Sequence, residues 1–158
     1  MNSEVISVVI AGLGGQGILR ASDILADVAF AAGWDVKKSE VHGMSQRGGS
    51  VNSDVRFGSR VYSPVISPGE ADFLVLLAPE WQEHFQHYLK PDGELLSASE
   101  IDVAALPHRR SLNLALLGQL SRRLDFEETL WIGAIRRRFP PELVPVNEAA
   151  FRLGRETA

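Results

Sequence analysis

The fold is decided by the stretch VISVVIAGLGGQG, which runs from Val5 to Gly17. Residues 5–11 are almost continuously apolar and rich in β-branched side chains, which is typical of a central parallel strand covered on both faces. Residues 12–17 match G-x-G-x-x-G, the turn between strand and helix in dinucleotide-binding folds. An apolar stripe with helical spacing follows, and Gly33 marks the end of that helix. The stretch therefore predicts the first strand, turn and helix of an α/β domain.

A second glycine-rich segment, HGMSQRGG at residues 42–49, follows a second predicted strand at residues 35–41. Open α/β sheets bind ligands where the chain leaves the carboxyl ends of their strands, and both segments occupy that position. The imidazole of His42 can donate a hydrogen bond, and Arg47 offers a planar fork for a carboxylate or phosphate. Gly48 and Gly49 would let another backbone or a ligand come close. The alternative is a surface loop whose polar residues have no binding role.

The remaining pattern predicts a mostly parallel sheet followed by helices. Alternating residues at 51–57 and the pair Gly58-Ser59 indicate a β-hairpin over residues 50–62. A buried strand is expected at residues 73–77, a helix from Pro79 to about Leu89, a turn at residues 90–93, and a short strand at Leu95-Leu96. The further predicted helices are 112–124, 127–139 and 143–153. We expect one Rossmann-like α/β domain over residues 1–158, with a β-hairpin insertion and a helical C-terminal third.

Composition excludes several classes of function. The chain has 158 residues and a formal net charge of −4, which disfavours a general nucleic-acid binder. It has no cysteine, so it offers no thiolate for an iron–sulfur cluster or a Cys-type zinc site. The longest apolar run, residues 73–78, is far shorter than the roughly 20 residues that cross a bilayer. We expect a cytoplasmic protein with no membrane or nucleic-acid partner.

The glycine loop alone leaves several interpretations open. The free N–H groups at the helix start favour a phosphate or carboxylate, and Glu40 lies where a ribose-binding acid would be expected. Gln16 would then place a polar amide where the ligand lies. The glycines could equally serve only the tight turn. His84 and His87 are three residues apart, but without a third ligand they indicate an exposed helix face rather than a metal site.

Several motifs together are more specific than either loop. They are GLGGQG at residues 12–17, SEVHGMSQRGGSV at 39–51, VYSP at 61–64, GEAD at 69–72, and Asn113 with Leu117-Gly118. Over nearly its whole length the chain resembles the beta subunits of indolepyruvate:ferredoxin oxidoreductases. Those subunits belong to the gamma-type domain of the 2-oxoacid (pyruvate):ferredoxin oxidoreductase family.

The resemblance implies the chemistry of a complex rather than of one chain. The family oxidises 2-oxoacids, here arylpyruvates, to acyl-coenzyme A, carbon dioxide and reduced ferredoxin. It uses thiamine diphosphate, magnesium and iron–sulfur clusters. This chain has neither a Gly-Asp-Gly thiamine motif nor a cysteine, so these cofactors are expected on a large partner subunit, with coenzyme A as co-substrate. Ferredoxin would be reduced through the complex, and the isolated chain is expected to form a homodimer.

The loops are the expected functional edge, and they carry no catalytic or metal-binding residue. His42 and Arg47 would contact a substrate carboxylate or a coenzyme A phosphate, and Gln46 would orient one of them. The residues expected to face the substrate, coenzyme A or the partner are Gly12, Gly14, Gly15, Gln16, Gly17, His42, Gln46, Arg47, Gly48 and Gly49. The segment at 97–110 is shorter than the family pattern. Two alternatives are a self-contained dinucleotide- or coenzyme A-binding module and a non-catalytic interaction protein.

Overall fold

A five-stranded sheet forms the centre of the computed structural model, which describes residues 4–43 and 49–157. The strand order is β2-β3-β1-β4-β5. The strands are β1 (Ile6–Leu13), β2 (Asp35–His42), β3 (Ser50–Gly58), β4 (Ala71–Leu76) and β5 (Leu89–Ser97). Strand β3 is antiparallel to both its neighbours, whereas β1, β4 and β5 pair in parallel. Four strands point the same way, so the predicted α/β class with a mostly parallel sheet is confirmed.

Strand β1 is buried on both faces, as its apolar run predicts. Val8 and Ile10 pack into the core beneath the long helices, while Val9 and Ala11 pack on the opposite face. The helices are α1 (Ile18–Ala31), α2 (Gln82–Phe85), α3 (Leu112–Ser121), α4 (Glu128–Arg138) and α5 (Val144–Glu156). The four long helices cover one face of the sheet. The second face is covered by the short helix α2 and by the loop that carries Ile66.

Helices α3 and α5 pack with their backbones in contact. A Cβ atom added to Gly118 would overlap the carbonyl oxygen of Phe151, and one added to Gly154 would overlap that of Ala115. Only glycine at both positions permits this approach. The helical C-terminal third predicted from the sequence is therefore present and tightly joined to the core.

The predicted hairpin at residues 50–62 is wrong. Strand β3 is one continuous strand that pairs with β1 and β2, and residues 60–62 belong to no strand. The hairpin is instead formed by β2 and β3. The alternating polar residues suggested a solvated face, but Asn52 and Asp54 are buried because the loop at 59–70 covers them. Asp54 accepts a hydrogen bond from the Ile66 amide at 3.0 Å.

Two further segments differ from prediction. Residues 79–88 do not form one continuous helix. One 3-10 turn precedes α2 and another follows it. The predicted turn at 90–93 lies inside β5 as a bulge, because Ala71 pairs with Leu89 but Phe73 pairs with Glu94. The segment at 97–110 contains three 3-10 turns. Within the described ranges, no helix combines the length and apolar character that crossing a membrane requires.

Candidate functional site

The two glycine-rich segments meet at one edge of the sheet. Strands β1 and β2 end at this edge and β3 begins there, because β3 is antiparallel to both. Leu13 pairs with Ser50, and the next residue along, Gly14, donates its backbone N–H to the carbonyl of Gly49 at 3.1 Å. Beside it, the Gly43 amide donates to the Ser50 carbonyl at 2.6 Å. The structure thus brings together the two segments that the sequence predicts to share a site.

The glycines of residues 12–17 serve different steric roles. Gly15 and Gly17 have φ values of 89° and 78°, in the left-handed region that favours glycine. A Cβ added to Gly12 would lie 3.0 Å from Cδ1 of Ile18 and 3.1 Å from Cβ of Leu77. At Gly14 the nearest atom would be the Gly49 carbonyl oxygen at 4.0 Å, so this position has space. Gly12 therefore permits close packing, while Gly15 and Gly17 permit the turn.

Gln16 supports the loop from within. Its Oε1 accepts a hydrogen bond from the Leu13 amide at 2.7 Å, and its Nε2 donates to the Leu77 carbonyl at 3.4 Å. The expectation that this amide lies where a ligand binds stays a prediction, since Gln16 is absent from the lining of the cavity at the start of α1 but lines a smaller cavity beside Gly15. The side chain folds back because the turn leaves the Leu13 N–H without a backbone acceptor, and a buried donor requires one.

Asn113, at the start of α3, holds the other end of the loop. Its Nδ2 donates to the Gly17 carbonyl at 3.1 Å, and the residue is only 4% exposed. Sequence reasoning linked Asn113 to the family pattern but assigned it no contact. The spacing of 96 residues gives no local signal for such a pair.

A cavity of about 380 Å³ lies along the first turn of α1. It is lined by Leu13, Gly14, Gly15, Gly17, Ile18, Leu19, Arg20, Asp23, His42 and Val51. The first turn of α1 has no side-chain cap and no acidic residue, so its N–H groups present the positive end of the helix dipole. The geometry is suited to a carboxylate or phosphate.

Arginines that sequence reasoning missed surround the loop. Arg109 and Arg110 line a second cavity of about 200 Å³ together with Gly15 and Gln16. Arg20, in the first cavity, is fixed: its guanidinium lies 4.7 Å from the Phe139 ring centroid, and Nη1 donates to the Arg138 carbonyl at 3.0 Å. Arg109 and Arg110 stand at the end of the shortened segment at 97–110. Nothing else in the sequence indicates that this pair lies beside the glycine loop.

Other predicted residues have more limited support. His42 is exposed and lines the first cavity, whereas Gln46, Arg47 and Gly48 lie outside the described residues. In the part of the chain that is described, no three His, Cys, Asp or Glu side chains group as a metal site. His84 packs against the rings of Trp81 and Phe85 instead.

Glu40 is poorly placed to bind a ribose beside the glycine loop. Strand β3 separates β2 from β1, so Glu40 lies two strands away, about 10 Å at the usual strand spacing. Its carboxylate is also paired with Lys38 at 3.3 Å. This arrangement disfavours the dinucleotide interpretation of G-x-G-x-x-G.

Comparison with known proteins connects this geometry to one family. Residues 7–111 match the family model described as pyruvate ferredoxin/flavodoxin oxidoreductase. The chain is 31% identical to indolepyruvate oxidoreductase subunit IorB of Thermococcus kodakarensis over 192 aligned positions, covering 96% of this chain and 95% of that protein. It is 46% identical to the subunit of the same name from Pyrococcus horikoshii over 87 positions, covering 55% of this chain and 43% of that protein.

Two solved structures share the fold. The keto/oxoacid ferredoxin oxidoreductase gamma subunit of Geobacter sulfurreducens superposes with a TM-score of 0.78 at 21% identity, covering 98% of this chain and 96% of that one. The 2-oxoglutarate:ferredoxin oxidoreductase of Magnetococcus marinus, solved with 2-oxoglutarate, coenzyme A and succinyl-CoA, gives 0.82 at 21% identity. This match covers 99% of the present chain and 31% of the chain of the Magnetococcus marinus enzyme.

Proposed function

The chain belongs to the pyruvate ferredoxin/flavodoxin oxidoreductase family, and we propose that it is an accessory subunit of a complex that oxidises arylpyruvates and reduces ferredoxin. The observation that carries this proposal is the end-to-end match to a subunit named for indolepyruvate, which covers 95% of that relative. The products would be an acyl-coenzyme A and carbon dioxide.

The redox cofactors would be held by a larger partner subunit. The chain contains no cysteine to ligate an iron–sulfur cluster, and its described residues include no carboxylate or histidine cluster for a metal ion. A thiolate-ligated cluster therefore does not fit this chain, and we place the thiamine diphosphate and its magnesium on the partner as well. The role left to this chain is to enclose the site and orient what enters it.

The edge formed by the two glycine-rich segments is the surface that we assign to this role. The Gly14–Gly49 hydrogen bond joins the segments, and the uncapped first turn of α1 lies beside them. Arg20 and the carboxylate of Asp23 line the cavity at the first turn of α1, and Arg109 and Arg110 line the neighbouring cavity at Gly15 and Gln16, so three arginines lie along this edge. Either a 2-oxoacid carboxylate or a coenzyme A phosphate matches that charge. His42 lines the cavity at this edge, and the sequence motif leads us to assign Gln46, Arg47 and Gly48, which lie outside the described residues, to the same role.

The experiment is co-expression of this chain with a large subunit that carries a thiamine motif and cysteine clusters. We expect the two to co-purify, and we expect ferredoxin reduction to require both chains and to be faster with indolepyruvate or phenylpyruvate than with pyruvate or 2-oxoglutarate. Full activity of the large subunit alone would contradict the proposal. Titration of this chain alone with NAD, FAD and coenzyme A tests the binding-module alternative, which predicts submillimolar affinity for a dinucleotide.

Gly14 supplies a matched pair of variants for the surface itself. Gly14→Pro removes the N–H that bonds to Gly49, whereas Gly14→Ala keeps it and has space for the added methyl group. We expect the proline variant to lose about tenfold or more in activity of the complex, and the alanine variant to retain most of it. Equal activity of the two variants would show that the Gly14–Gly49 hydrogen bond does not contribute to the activity of the complex.

A further inference from the structure

A third cavity, of about 650 Å³, lies beside the glycine-loop edge. It is bounded by the start of α1, by residues 107–111 and by the junction between α4 and α5. Its lining includes Arg20, Arg110, Phe139, Leu143 and Val146. This volume falls within the range of about 300–1,000 Å³ that is usual for small-molecule sites.

The lining divides into an apolar part and a basic part. Phe139, Leu143 and Val146 supply the apolar surface, and Leu143 remains 45% exposed. An apolar side chain exposed in a concave surface is a feature of ligand and partner sites. Arg20 and Arg110 supply the charge, and no carboxylate is among the described lining residues.

The positive charge in this cavity is available to a ligand. The bond from Arg20 Nη1 to the Arg138 carbonyl uses one of five guanidinium N–H donors, while stacking on Phe139 holds the group in place. The Arg110 side chain has no hydrogen bond or ion pair with the described residues. By contrast, the cavity formed by Arg122, Glu128, Arg152, Arg155 and Glu156 contains its own carboxylates. The cavity at the junction of α4 and α5 thus combines apolar surface with arginines that no lining carboxylate neutralises.

We propose that this cavity binds an amphipathic carboxylate, with the apolar body against Phe139, Leu143 and Val146 and the carboxylate at Arg20 and Arg110. The charge-assisted bonds fix the orientation, and the buried apolar area supplies the affinity. The site adjoins the first cavity because Arg20 lines both. It belongs to this chain alone, so it does not depend on the proposed partner.

The test is titration of the purified full chain, by calorimetry and by amide chemical shifts, with three probes. Naphthalene-1-acetate presents an aryl body, octanoate presents an alkyl chain, and naphthalene-1-acetamide lacks the charge. We expect at least one carboxylate to bind and to shift residues near Val146, and the neutral amide to bind about tenfold more weakly. The tighter of the two carboxylates identifies the body that the cavity prefers.

Variants locate the binding within the cavity. Val146→Trp fills the apolar part and Arg110→Ala removes one charge, and each should weaken the carboxylate about tenfold. Arg137→Ala, an exposed arginine of α4 outside the cavity, is the matched control and should bind as the unmodified chain does. The proposal is overturned if neither carboxylate binds, if the amide binds equally well, or if both cavity variants retain full affinity.

Discussion

The side-chain amide of Asn113 donates a hydrogen bond to the backbone carbonyl of Gly17 at 3.1 Å. This contact joins the end of the glycine loop to the start of α3, and a Cβ at residue 17 would collide with the same amide. The conformation of the loop therefore depends on a helix that is 96 residues away in sequence.

A double-mutant cycle measures this dependence. Gly17→Ala should lower the free energy of unfolding by about 2 kcal/mol, because it adds left-handed strain and a clash. Asn113→Ala should lower it by about 1–2 kcal/mol through the lost hydrogen bond. The double variant no longer has the clash. Its loss in free energy of unfolding should therefore be smaller, by at least about 0.5 kcal/mol, than the sum of the losses in the two single variants. Urea unfolding provides the values, and strict additivity would mean that the two residues do not interact.

Gln16 provides a test of its supporting role within the loop. Gln16→Ala leaves the Leu13 N–H without its acceptor, and a buried donor without a partner costs about 1–3 kcal/mol. Amide exchange at Leu13 should accelerate in parallel. Gln82→Ala is the control, since its hydrogen bond to Gln86 is exposed and should contribute little. Similar effects of the two substitutions would argue against the assigned role.

The first strand, the turn and α1 could be predicted because each signal is local. The apolar run at residues 5–11 marks a strand buried on both faces, and Gly12 to Gly17 can follow it only as a turn into a helix. The meeting of the two glycine segments also followed, since the ends of parallel strands share an edge. The Gly14–Gly49 bond shows that the two segments adjoin, while their role in binding stays a prediction.

Two glycines in helices should respond in opposite ways to alanine. Gly118→Ala places a methyl group against the backbone of α5 and should destabilise the protein by about 2–4 kcal/mol. Gly133→Ala meets only the flexible end of Arg137 at 3.4 Å and should stabilise α4 by about 0.5–1 kcal/mol. Thermal unfolding of the two variants decides the point. A stabilising Gly118→Ala would show that α3 and α5 do not pack through their backbones.

Asp54 gives the stability a specific dependence on pH. Burial raises the pKa of its carboxyl above the ordinary value, against the opposing effect of hydrogen bonds from Ile66 and Asn52 and the charge of Arg56. Burial and the Asp54 charge in turn raise the pKa of Tyr88. Because the folded-state pKa of Asp54 lies above the unfolded one, its stabilising contribution is full below the unfolded pKa and is lost as pH rises through the folded pKa.

Asp54→Asn isolates this contribution. The asparagine keeps an acceptor for the Ile66 amide and cannot ionise. The free energy of unfolding of the variant, minus that of the unmodified chain, should therefore increase as pH rises through the folded-state pKa of Asp54 and then level off. Urea unfolding of both proteins over a series of pH values checks this, since other carboxyl groups cancel in the difference. A flat difference, or one that decreases with pH, would contradict the assignment.

The features that prediction missed depend on contacts between distant segments. The alternation at Asn52, Asp54 and Arg56 is the same whether that face is solvated or covered, and only the later loop at 59–70 decides it. The insertion of β3 between β1 and β2 likewise has no local signal. Without it, Glu40 would lie beside the glycine loop and the dinucleotide interpretation would be stronger.

The most direct test of the central claim is hydrogen–deuterium exchange of this chain, measured alone and in complex with the thiamine-bearing partner subunit that we propose. If the edge that joins Gly14 to Gly49 faces the partner, exchange of the amides at residues 15–20 and 49–52 should slow by about tenfold or more in the complex, because the partner excludes water there. The amides of α4, away from this edge, should change little. Unchanged exchange at both segments, with protection confined to α4 and α5, would contradict the account.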